Sequence, residues 1–287
     1  FSASQSAPTS VVHSVSPLHN PLPHPLSTPF LRFTIRSQIR CPIRFSASQS
    51  TPKSVVQSVS PLHNPLPYPL STPFLRFIRC PLLLLLTVNL AVGFLTFRNY
   101  GLSWDEPLFY NYADSIWKAY TPEAFSPGFD FDSVYGRSAA DHKYYGPAYL
   151  LLARPVEQAL ENIFNLDQAS AWHLVNFLTF QTGLIGFYRL ARRWFDPWPA
   201  ALATVFLAWQ PVFWGHAFIN PKDMPFMVFF IWSLTLGLEM VDTITDPTAP
   251  KHQKTAKTLL AALLLGLTSA IRVIGPLCGA LLVFYFL

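Results

Sequence analysis

PLLLLLTVNLAVGFLTFRNYGLSWDEP, residues 81–107, runs from unbroken hydrocarbon to two adjacent carboxylates. Pro81–Phe97 carries no charge and is preceded by Arg76 and Arg79. It is slightly short of the ~20 residues a bilayer-spanning helix needs, and Phe77 and Ile78 lengthen it if Arg79 snorkels. Immediately beyond it stand Asp105 and Glu106, in a chain where only 12% of residues are charged. An apolar span opening onto a paired carboxylate makes this stretch the first place to look for chemistry.

The composition agrees with a lipid solvent. Apolar residues make up 51% of the chain and aromatics 15%, whereas a soluble globule carries about a quarter charged residues. The net charge of +5 invites a nucleic-acid reading, but the basic residues flank apolar runs rather than clustering on a polar domain, so topology explains them and no nucleic-acid partner is expected. Cys41, Cys80 and Cys278 are scattered, indicating neither a disulfide framework nor a metal site. No phosphate-binding glycine motif is present. No cofactor is expected, with a divalent metal left open.

The chain divides at about residue 77. Phe1–Phe33 recurs as Phe45–Phe77 with differences only at Ala7/Thr51, Thr9/Lys53, His13/Gln57 and His24/Tyr68. Both copies are rich in Ser and Pro and hold no acidic residue, so residues 1–77 read as a disordered or polyproline-like tail. Two units are too few to stack as a solenoid. A duplicated low-complexity leader explains the repeat better than a docking tail, and its proline content argues against an amphipathic transit peptide. Residues 78–287 read as a transmembrane domain, the N-terminal part of a longer one, since the chain begins at Phe1 and stops at Leu287 inside an apolar run.

Further apolar spans are expected over about Ala171–Leu190, Pro199–Phe218 and Met224–Ile244, with a fifth from Thr258 towards Arg272 and a last stretch after Gly275-Pro276. Between the first and second lies a long polar loop, Arg98–Ser170, holding Asp105, Glu106, Asp114, Glu123, Asp130, Asp132, Asp141, Glu157, Glu161 and Asp167 of the fifteen acidic residues. Basic clusters fall before span one (Arg76, Arg79), after span two (Arg189, Arg192, Arg193) and after span four (Lys251, Lys254, Lys257). If every span crosses once, those clusters share a side. The positive-inside rule makes it the cytoplasm, together with the N-terminus. The acidic loop, the Asn220–Asp223 turn and Arg272 then share the outer face of a multi-pass protein, in a plasma membrane if bacterial or the endoplasmic reticulum if eukaryotic.

Leu108, Phe109, Tyr112, Ile116, Trp117 and Tyr120 recur at helical spacing, so an interfacial helix is expected after Pro107. Asp105 can serve as its N-cap; the same place at a helix N-terminus favours a carboxylate anion, as a general base requires. Asp223 can cap the fourth span in the same way, and Lys222 can lie at the interface. Arg272, flanked by Ile271 and Val273 in an apolar helix, is either snorkelling or binding something anionic, and Gly275-Pro276 can open the helix at its level. Tyr144 and Tyr145 read as an interfacial aromatic anchor before an amphipathic stretch, Ala148–Phe164, and His216 as a satisfied interfacial histidine.

One span, a long outer loop opening with Asp-Glu, then helices joined by short loops, resembles the C-type glycosyltransferases, and most closely their family 39. That family includes protein O-mannosyltransferases and bacterial lipid-carrier-dependent sugar transferases. Trp104-Asp105-Glu106-Pro107 is similar to the family's first-loop acidic motif, and GHAFINPKDMPF (residues 215–226) to a turn of its bacterial members. The resemblance implies an all-α polytopic bundle whose first extracytoplasmic loop contains interfacial helices. It implies transfer, with inversion, of a sugar from a polyprenyl- or dolichyl-phosphate carrier to a protein, lipid or glycan hydroxyl. Asp105 and Glu106 would be catalytic, Asp105 as base and Glu106 orienting it or binding the acceptor. Arg272 and Lys222 would hold the carrier phosphate, and Asp223 would position donor or acceptor. A transporter or a catalytically inactive membrane subunit is the alternative reading. The charges gathered at one face, without an inverted repeat, weigh against transport.

Overall fold

The computed structural model describes Cys80–Ser138 and Tyr144–Leu287; the tandem repeat of residues 1–77, with Asp141, His142 and Lys143, lies outside the described residues. Among the described residues every regular element is helical and no strand occurs. Helix α1 is Pro81–Thr96 and tightens into a 3-10 turn, Phe97–Asn99. Helix α2, Glu106–Ser115, has Pro107 in its first turn, where its missing N–H costs nothing. Three 3-10 turns follow, Ile116–Tyr120, Pro122–Phe125 and Phe131–Ser138. Helix α3 is Ala148–Phe164, closed by Asn165 in the left-handed conformation that Asn tolerates. A helix thus forms after Pro107, tightening to 3-10 from Ile116, and another forms over the amphipathic stretch 148–164.

Helix α4, Gln168–Ala191, starts at Asp167, whose side chain accepts from Ser170 N at 3.0 Å. Helices α5 (Pro197–Ala208) and α6 (Pro211–Ile219) follow, then α7 (Asp223–Thr245), α8 (Lys251–Ile271) and α9 (Leu277–Phe286). Three helical stretches are long and apolar enough to cross a membrane: Pro81–Asn99, Asp223–Thr245 and Lys251–Ile271. These are the composition and lengths of a membrane protein.

The expected spans need three corrections. The stretch 199–218 is not one helix: α5 and α6 meet at a bend of 64°. Pro211 supplies the reason, since it cannot donate the helical bond and holds Gln210 extended (φ −64, ψ 120). Helix α4 covers the expected second span, yet its polar side chains keep it off the set of helices apolar enough to cross. His173, Asn176 and Gln181 are buried against protein rather than lipid. Helix α8 begins at Lys251 rather than near Thr258, so its lysines ride on the helix itself. Cys80, moreover, is disulfide-bonded, which the scattered cysteine spacing did not indicate.

Helix α4 is the centre of the bundle. It packs against α1, α3, α5, α6 and α7, and α7 in turn carries α8 and α9. Phe177, Phe180 and Leu184 pack with Leu82, Leu85 and Phe218 in one core. A second core joins α2, α3 and α4 through Phe109, Tyr112, Tyr149 and Trp172, with Tyr110 stacked on Trp172 at 5.2 Å. Each such buried side chain contributes roughly 1.5–3 kcal/mol, and the second core is what holds α2 against the bundle. Midway along the bundle, Trp209 Nε1 donates to Asn89 Oδ1 at 2.8 Å and Asn89 Nδ2 to Gln181 Oε1 at 3.4 Å, linking α1, α4 and the end of α5.

The charges sort to two ends. At one, Arg189 pairs with Glu239 at 2.5 Å, Arg193 with Asp242 at 2.8 Å and Lys257 with Glu239 at 3.9 Å. At the other lie the end of α1, the starts of α2 and α7 and the end of α8, and there the candidate site residues meet.

Candidate functional site

Asp105 occupies the N-cap position of α2, and its backbone carbonyl accepts from Leu108 and Phe109 N–H, both at 3.1 Å. Its side chain makes no capping bond. Instead Asp105 Oδ2 accepts from Lys222 Nζ at 2.6 Å, joining the first polar loop to the turn before α7. The carboxylate is therefore held out from its own helix and presented to the second loop.

The Asn220–Asp223 turn is built by Asn220. Its Oδ1 accepts from Lys222 N at 3.1 Å and Asp223 N at 2.8 Å, while its Nδ2 donates to Asp223 Oδ2 at 3.1 Å and lies 3.1 Å from His216 Nδ1. Asp223 is thus the first residue of α7 and not its cap; Asn220 does the capping. The freed Asp223 Oδ1 takes a hydrogen bond from the Arg272 guanidinium, which projects from the end of α8. The Tyr145 ring sits between the two cations, with Lys222 Nζ 5.4 Å and the Arg272 guanidinium carbon 5.2 Å from its centre. Phe109 adds a second face, 5.3 Å from Lys222 Nζ. Aromatic faces hold cations at these distances without neutralising them.

Gly146 explains why Tyr145 can reach this place. Its N–H donates to Ile271 O at 3.2 Å, and a Cβ there would stand 1.9 Å from Ala270 O, so only glycine lets the turn lie on the end of α8.

An open cavity of about 200 Å³ adjoins the pair, lined by Ser103, Trp104, Asp105, Phe109, His216 and Lys222 among others. A larger, mainly apolar groove of about 520 Å³ runs between α3, α4, α7 and α8, past Tyr149, Val175, Thr179, Val228, Trp232 and Leu264. Val228 is five residues along α7 from Asp223, so the groove begins roughly 7–8 Å below the charged cluster at 1.5 Å per residue.

The structure brings together Asp105, Lys222, Asp223 and Arg272. Glu106 is separated from them. It is fully buried and faces the bundle, accepting from Ser103 N at 2.6 Å, from Tyr110 Oη at 2.6 Å, and lying 2.9 Å from His173 Nε2. His173 escaped the sequence reading, because one His inside a mostly apolar helix looks like any core residue. Tyr145, read as an interfacial anchor, also faces both cations.

A second charged group lies on α3. Arg154 pairs with Asp114 at 2.6 Å and with Glu157, and approaches Glu161 at 4.0 Å. Burial pushes the Glu157 carboxyl up to about 7 despite Arg154. Burial likewise raises the Tyr110 and Tyr112 phenols well above their usual range. These groups are structural partners of α2 rather than cavity-lining ones.

No family model matches the chain, and no curated protein or solved structure matches it.

Proposed function

We propose that this protein is a multi-pass membrane glycosyltransferase of the C type that its loop motifs resemble. It moves a sugar from a polyprenyl- or dolichyl-phosphate carrier to a hydroxyl with inversion. One observation carries the reading: a half-exposed carboxylate, Asp105, and two cations, Lys222 and Arg272, converge from distant segments at one end of an apolar bundle, above an open, mainly apolar groove.

The chemistry follows from that geometry. The acceptor O–H attacks the anomeric carbon, and Asp105 takes its proton. The bond from the anomeric carbon to the carrier phosphate breaks on the opposite face, and the phosphate leaves with the electron pair. A single displacement of this kind inverts the centre. Lys222 and Arg272 stabilise the leaving phosphate, exchanging their carboxylate partners for its oxygens. Asp223 then stands free to hold a donor or acceptor hydroxyl. The apolar groove suits a carrier chain, its phosphate at the level of Arg272 and its isoprenoid along α7. The basic far end, with Arg189, Arg192, Arg193 and Lys251, makes that end cytoplasmic by the positive-inside rule and the site extracytoplasmic.

The test supplies membranes containing the protein with radiolabelled polyprenyl-phosphate sugars. Wild type should move label to an acceptor, and Asp105→Asn should lower transfer by about 100-fold or more at unchanged protein level. Equal transfer by the variant sinks the assignment of the base. No transfer from any donor by wild type sinks the transferase reading and makes substrate flux across vesicles the next measurement.

A further inference from the structure

We propose that Glu106 and His173 form a buried hydrogen-bonded clamp that positions Asp105, and that neither touches substrate. The inference rests on the transferase reading for what is positioned, and on geometry alone for the clamp.

Both residues are essentially removed from solvent, at 0% and 1% exposure. His173 Nδ1 lies 3.2 Å from Phe97 O, and Nε2 lies 2.9 Å from Glu106 Oε1. Phe97 O can only accept, so Nδ1 donates. Glu106 also accepts from Ser103 N through Oε2 and bonds Tyr110 Oη through Oε1. Both carboxyl oxygens and both ring nitrogens of the pair are therefore bonded, and the bonds tie separate segments together.

The partners lie on four different pieces of chain. Phe97 ends the first helix, Ser103 is in the connection that follows, Tyr110 is one turn into α2, and His173 is near the start of the central helix α4. The connection from Phe97 to Asp105 is short, and two more of its side chains are anchored: Ser103 Oγ donates to Ile219 O at 3.2 Å, and the Tyr100 ring stacks on Phe218 at 4.2 Å. Asp105 has no bond to its own helix through its side chain. Where its carboxylate stands is thus decided by Lys222 and by the backbone that carries it, which Glu106 fastens at Ser103 and at its own position. A displacement of about 1 Å at a reacting group can cost 100-fold in rate.

Three variants, His173→Gln, Glu106→Gln and the double variant, are examined in membranes by two readouts. One is transfer kinetics. The other is independent of activity: the rate at which cysteines placed at Ser103 and Ile219 cross-link, read as the joined peptide. Each single variant should lower kcat by about 100-fold with the donor KM held within about twofold, and slow the cross-link. The double variant, where two amides replace the pair, should recover part of both. Singles that keep wild-type turnover and cross-linking overturn the clamp. Slowed cross-linking in the singles, with no transfer by wild type from any donor, upholds the clamp and overturns the transferase reading. If the singles do not accumulate, Tyr110→Phe removes one bond to the same carboxylate and should shift both readouts less but in the same direction; no shift overturns the clamp.

Discussion

The Lys222 ammonium stands 2.6 Å from the Asp105 carboxylate across 117 residues of sequence. Both side chains keep water contact, 21% and 48% exposed, so the pair contributes only about 0–1 kcal/mol to stability. Its value lies in holding a base and a cation side by side. Lys222→Met should therefore leave folding nearly unchanged, within about 1 kcal/mol by thermal unfolding in detergent, while raising the donor KM by about tenfold or more. A KM equal to wild type removes Lys222 from phosphate binding.

Gly146 makes the closest backbone approach in the site. Gly146→Ala drives a methyl into Ala270 O, and neither backbone can yield cheaply. The expected cost is about 1–3 kcal/mol, seen as a lower unfolding midpoint. Donor affinity should fall with it, because Tyr145 is displaced from the two cations. A midpoint identical to wild type would show that the turn does not lie on the end of α8.

Glu157 gives a pH dependence with a defined sign. Its carboxyl moves from the ordinary 4.5 to about 7 in the folded chain, burial being the larger cause. Between those values the folded state binds the proton more tightly than the unfolded state. The contribution to stability is thus fullest below pH 4.5 and is lost as pH rises through about 7. Relative to Glu157→Gln, wild type should lose on the order of 2 kcal/mol of stability between mildly acidic and mildly alkaline solution. Parallel pH profiles for the two proteins refute the shift.

Orientation is tested by cysteines at two exposed positions, Glu123 in the polar loop and Thr255 at the start of α8. An impermeant thiol reagent on intact cells should label the first and spare the second until the membrane is opened. The opposite pattern places the site in the cytoplasm and removes the proposed reaction.

Much of this was legible because it is written in local terms. The runs at 81–97 and 224–244 are mostly apolar, and their helices follow directly. The acids and cations of Asp105, Lys222, Asp223 and Arg272 stand out against so apolar a chain, and the helix packing brings them to one end. What stayed hidden depends on contacts that no period records. His173 and Glu106 find each other only once α2 lies on α4. Asp105 sits where a cap belongs, and only the assembled fold shows that its side chain turns to Lys222 instead. The bend at 209–211 was there to be read in Pro211, but the hydrocarbon on either side outweighed one proline.

The amides of Asn89 and Gln181 and the indole of Trp209 meet in the middle of the bundle, where their neighbours are otherwise apolar. Sliding α1 against α4 by one helical turn, about 5.4 Å, would break both hydrogen bonds and leave the buried amides of Asn89 and Gln181 without them. Leucines tolerate such a slip; amides do not. These three residues work as the notch in a key, fixing how far each helix is inserted before the ends are assembled. A bundle so indexed delivers the ends of α1 and α5 at set heights. That is why a carboxylate after the first helix and an ammonium before the seventh can be within one hydrogen bond of each other.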